Sequence, residues 1–79
     1  MNSVILNFNN RKIEIFKSLW NEVTKRTPSY DEESLAVEAA SKLGRKKGET
    51  ISEALFQFTD EEVAEACVSV LLARKSLWE

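Results

Sequence analysis

The feature that most constrains this chain is a helix-start signal that occurs three times. A Ser or Thr is followed three residues later by Glu at Ser29-x-x-Glu32, Thr50-x-x-Glu53 and Thr59-x-x-Glu62. In such a capping box the hydroxyl accepts from the backbone N–H three residues on, and the Glu side chain accepts from the backbone N–H of the capping residue. Two donors that the first helical turn leaves unpaired are thereby satisfied. Each box is followed by apolar residues at helical spacing. The first helix is expected over 30–43, with Leu35, Ala36, Ala39, Ala40 and Leu43 on one face and Gly44 placed to end it. The second is short, 51–58, with Ile51, Ala54, Leu55 and Phe58 in phase. The third covers 60–77. Phe58 and Val63 occupy the positions of a hydrophobic staple there, and residues 66–73 are apolar almost all round, the pattern of a central, buried helix.

Upstream, Phe16, Leu19, Trp20 and Val23 form a further helical stripe, which must stop near Thr27 because the residue before Pro28 avoids the helical region. Its start has two readings. In one, Val4, Leu6 and Phe8 pair with Ile13 and Ile15 across a turn at Asn9 and Asn10, which keeps Arg11 and Lys12 away from a helix N-terminus that would repel them. In the other, Asn9 caps a helix over 10–26 with Phe8 and Ile13 as its staple, and Ile15 falls off the stripe. The caps favour the second reading, since a helix beginning at Phe16 would follow Lys12-Ile13-Glu14-Ile15 with no polar cap. The expectation is an all-α fold of four helices with an apolar arm over 1–9. The alternative is α+β, with an N-terminal β-hairpin or a β-ribbon shared between two copies.

With 79 residues there is room for one domain, 1–79, burying roughly 60 to 65% of its unfolded surface. A content of 43% apolar and 30% charged residues with two Gly and one Pro fits a mostly helical globule. The net charge of −2 gives the chain as a whole no electrostatic reason to seek nucleic acid or an anionic membrane. The apolar run 66–73 is interrupted by Ser69 and falls far short of the ~20 residues of a membrane span, and no leader is expected at the N-terminus. The lone Cys67 cannot form an internal disulfide, which fits a reducing cytoplasm.

Catalysis finds little material. There is no His, and Cys67 among Ala66, Val68 and Val70 reads as a small buried hydrophobe. The acids Asp31-Glu32-Glu33 and Asp60-Glu61-Glu62 stand in first helical turns, where they complement the helix dipole. No Gly-rich phosphate loop and no Cys/His metal spacing occurs. Neither an enzyme, a cofactor nor a small-molecule substrate is expected.

Binding remains. The segment "VILNF", the apolar stretch 66–73 and the terminal Leu77-Trp78 carry more apolar surface than a few short helices can cover. They nominate Ile5, Phe8, Leu72, Leu77 and Trp78 as an interface for a protein partner or a second copy. A competing feature is the basic cluster Lys42, Arg45, Lys46 and Lys47, although cations at a helix C-terminus also offset the dipole. Around it, segment 34–58 resembles a helix-turn-helix DNA reader: Ala40 stands four before Gly44, and a turn and an amphipathic second helix follow. It departs in carrying Thr50 where an apolar residue is expected. Thr50, Ser52 and Gln57 would be its readers. A strand followed by two helices is also similar to the ribbon-helix-helix arrangement, with Ser3, Ile5 and Asn7 facing the groove. That strand has no Arg or Lys, and Asp31-Glu32-Glu33 stand where a phosphate would dock. The functional expectation is a small cytoplasmic, non-catalytic regulatory module, such as an adaptor, subunit or inhibitor, that binds protein. The alternative is a DNA-binding regulator.

Overall fold

A computed structural model describes residues 2–8 and 11–78, in the order β1 (Ser3–Phe8), β2 (Arg11–Phe16), α1 (Lys17–Arg26), α2 (Glu32–Lys42), α3 (Ile51–Phe56) and α4 (Asp60–Ser76). β1 and β2 form an antiparallel hairpin in which Val4 faces Ile15, Leu6 faces Ile13 and Phe8 faces Arg11. The fold is therefore α+β, and the expected all-α domain with a free apolar arm and a helix over 10–26 is corrected. Asn9 and Asn10, proposed as turn or cap, lie outside the described residues.

The reason lies in the spacing of Ile13 and Ile15. On a helix two residues apart means about 200° of rotation, so one of the pair would face water. On a strand they share a face, and both are buried with Leu6 and Phe8, while Ile5, Asn7, Lys12, Glu14 and Phe16 are exposed on the other side. The missing cap at Phe16 is real, because among the described residues no side chain caps α1. The sheet replaces it: the Lys17 backbone N–H donates to the Asn2 carbonyl at 2.9 Å, continuing the strand ladder into the first helical turn.

Of the three capping boxes, those of Thr50 and Thr59 form in full at the starts of α3 and α4. The first does not. Asp31 caps α2 by accepting from the Ser34 N–H, and Glu32, freed from that duty, accepts from the Asn7 N–H at 2.9 Å on the outer edge of β1. Gly44 ends α2 at φ 94, with Arg45 N–H donating to Ala40 O and Gly44 N–H to Ser41 O. That pair of bonds is a Schellman motif, and the left-handed φ is what requires glycine.

The inner face of the hairpin closes over α4, with α1 and α2 alongside. Val23, Leu35, Ala39, Ala40, Val63, Cys67 and Leu71 complete the core at or near zero exposure, and the alanines of α2 let α4 approach closely. Arg11 ties the hairpin to the far end of the chain. Its guanidinium donates to the carbonyls of Leu55 and Phe58, at the C-terminal end of α3, and to Asp60 Oδ1, 2.9 Å away in the first turn of α4. Among the described residues, no helix is long and apolar enough to cross a membrane.

Candidate docking face on α4

The pattern of 66–73 pointed both to a buried central helix and to surplus apolar surface, and only one side of α4 is enclosed. Val63, Ala66, Cys67, Val70 and Leu71 are buried, whereas Leu72 is 51% exposed and Ala73 is exposed beside it. The apolar stretch 66–73 thus serves two surfaces, the core and an outward ridge of Val68, Ser69, Leu72 and Ala73. These recur three and four residues apart, so they lie along one helical face.

A shallow hollow flanks the ridge on each side. One is lined by Phe16, Ala64, Glu65, Val68, Ser69 and Leu72, with Phe16 at the end of β2 forming its wall. The other lies towards α2 and is lined by Glu38, Ser41, Lys42, Ser69, Ala73 and Leu77, among others. Ser69 belongs to both. Phe16 is 64% exposed and Leu77 81%, so two large apolar side chains border a ridge that already presents Leu72.

The charges on this face are few and unequal in their freedom. Glu38 accepts two bonds from Arg74, at 2.6 and 3.1 Å, and Arg74 also lies 4.1 Å over the Tyr30 ring. Hydrogen bonding to Glu38 holds the Arg74 guanidinium yet more firmly in its charged form. Burial, followed by the negative charge of Glu38, drives the Tyr30 phenol above its ordinary range, and its hydroxyl meets neither neighbour in hydrogen-bonding geometry. This network staples α2 to α4 and leaves little net charge. Glu65 in the first hollow and Lys42 in the second make no hydrogen bond or ion pair among the described residues.

The nominated interface residues separate. Leu72 and Leu77 lie on the face just described. Ile5 is exposed on the outer face of the hairpin, one diagonal step from Phe16. Phe8 is corrected: the strand turns its side chain inward, and at 5% exposure it belongs to the core. Trp78 is half-buried, packed on the core with the Arg26 guanidinium 5.1 Å from its ring. Phe16 was missed as a surface residue, and Val68 was not singled out within the stretch 66–73. Phe16 had been placed in a helical stripe, where it pointed inward; its alternation with Ile13 and Ile15 was the signal that it points out. Phe56, 86% exposed on α3, stands apart from the ridge and its two hollows.

The basic alternative occupies the connection 43–50 and its flanks. That connection is longer than the 3–4-residue turn of a helix-turn-helix, and α3 has six residues. Arg45 Nε donates to Glu49 O, and the Lys46 N–H to the Glu49 carboxylate. The Thr50 hydroxyl is engaged by the Glu53 N–H. Lys42, Lys47, Ser52 and Gln57 are exposed. For the ribbon arrangement, the inner edge of β1 is occupied by β2 of the same chain. Cys67 is fully buried, and desolvation pushes its thiol up to about 12, which leaves it inert at neutral pH. Comparison of the chain with protein-family models, with curated proteins and with solved structures finds no match.

Proposed function

We propose that this chain is a small cytoplasmic, non-catalytic module that binds protein through the exposed side of α4 and regulates its partner by occluding or bridging it. The observation that carries this reading is the gathering of Phe16, Leu72 and Leu77, all large, apolar and more than half exposed, around one ridge with small residues at its middle. Contiguous apolar surface of this kind is costly to leave in water and is characteristic of docking sites. Small side chains at Ser69 and Ala73 let a partner's backbone come close, while the flanking hollows receive its larger side chains.

The test is capture from a nuclease-treated native extract with the tagged full chain, comparing wild type with Leu72→Glu. A charge at the centre of the ridge should lower recovery of a specific partner by about tenfold or more, with the circular dichroism spectrum unchanged. Capture that is indifferent to Leu72 would remove this face from the reading. Partners that disappear with the nuclease would instead point to nucleic acid and to Lys42, Arg45, Lys46 and Lys47.

A further inference from the structure

We infer that the occupant of the α4 face is a second copy of this chain, docked through a two-fold axis that passes by Ser69 and places Glu65 of each copy against Lys42 of the other. This inference rests on the docking reading above and names its partner. Three features of the face support it. The two hollows lie on opposite sides of one ridge and share Ser69, so an axis in the plane of the face and close to the direction of the ridge exchanges them. Each hollow holds one charge without a partner among the described residues, Glu65 in one and Lys42 in the other, and the exchange brings opposite signs together twice. A surface of this type is self-complementary, as an isologous interface must be. The crossing point is a serine, whose small side chain allows two ridges to touch, and Leu72 of each copy then faces the hollow bordered by Leu77 of its neighbour.

A generic partner would need to match an apolar centre flanked by a lone anion on one side and a lone cation on the other. A second copy matches it without further assumption. Glu38 is paired with Arg74, and Lys75 with Glu22, so of the charges that line the two hollows Glu65 and Lys42 are the ones left to set the register. From Ala64 to Leu77 the face is roughly 20 Å long at the helical rise per residue. With its flanks it buries a small area, in the class of reversible associations.

Sedimentation velocity on the purified full chain from about 10 µM to about 1 mM tests this, a range that brackets affinities expected of a small interface. A concentration-dependent dimer is expected, monomeric when Leu72 is replaced by Glu. Because both positions are exposed, Glu65→Lys and Lys42→Glu keep the fold. Each converts two attractions into two repulsions and should weaken the dimer by about tenfold at low salt. The double variant exchanges the charges and should return to within about threefold of wild type. A chain that stays monomeric throughout, a dimer unmoved by the single reversals, or a double variant as weak as the singles would each overturn the inference. If the chain is monomeric while Leu72-dependent capture of another protein persists, only the second copy is lost. If neither depends on Leu72, the docking reading falls with it.

Discussion

Replacing Arg11 by Ala is expected to be the most damaging single change to a residue that is not apolar. The guanidinium is 24% exposed and serves three acceptors, the Leu55 and Phe58 carbonyls and the Asp60 carboxylate. The three acceptors are not equal. Asp60 is 66% exposed, so its ion pair is screened and contributes less than about 1 kcal/mol. The two carbonyls are partly buried where α3 gives way to α4. A hydrogen bond from a charged donor contributes about 1.5 to 3 kcal/mol, of which returning water recovers a share at a partly open site. The sum is about 2 to 4 kcal/mol, a large fraction of the stability of so small a domain. Urea unfolding followed by circular dichroism reads it. Arg11→Ala should lower the midpoint by about 2 M or more, at a slope near 1 kcal/mol/M. Asp60→Asn should move it by less than about 1 M. Arg11→Lys should fall between, because an ammonium cannot span acceptors laid out for a planar fork. Arg11→Ala within about 0.5 kcal/mol of wild type, or Asp60→Asn as damaging as Arg11→Ala, would refute the reasoning, since the carbonyls would then not be what Arg11 holds.

Thr59→Ala removes the hydroxyl that accepts from the Glu62 N–H and should cost about 1 kcal/mol, seen as a fall of about 4–8 °C in Tm. Cys67 should resist alkylation in the native protein at neutral pH and react on unfolding. Its folded value of about 12 lies above the ordinary 9.0, so its stabilisation is complete below about pH 9 and fades towards pH 12. The gap between wild type and Cys67→Ala should narrow over that window in alkaline unfolding curves. The Ser34 N–H holds the Asp31 carboxylate below its ordinary range, so stability should decline as pH falls through and below about 4, and less steeply in Asp31→Asn.

Much of the helical half was legible because its signals are local. Thr50 with Glu53, Thr59 with Glu62 and Gly44 all act on backbone groups within a few residues, and they ended or began helices where their chemistry required. The failures were long-range. The start of α1 depends on the Asn2 carbonyl, and where Ser29 was expected to form a box, Asp31 is the cap and Glu32 accepts from Asn7, in a strand far upstream. Requiring a polar side-chain cap before Lys17 treated the helix as isolated and hid the hairpin. The docking face was half visible. Leu72 and Leu77 stood out as apolar surplus, but Phe16 joined them only once its strand alternation was known. The lone charges of Glu65 and Lys42 acquire meaning from hollows that no spacing rule describes.

The bond from the Asn7 N–H to Glu32 also bears on how the molecule avoids fibre formation. Residues 4–8 are rich in strand formers and carry neither charge nor proline, the composition of a segment that seeks further strands. In the fold, one edge of that segment is occupied by β2, whose Arg11, Lys12 and Glu14 discourage stacking, and the other is blocked at Asn7 by a carboxylate. Protection is therefore a property of the hairpin and its contact with α2. Local detachment of β1 would expose the segment without global unfolding, so the hold of the hairpin on α2 and α4 bears directly on the tendency to aggregate.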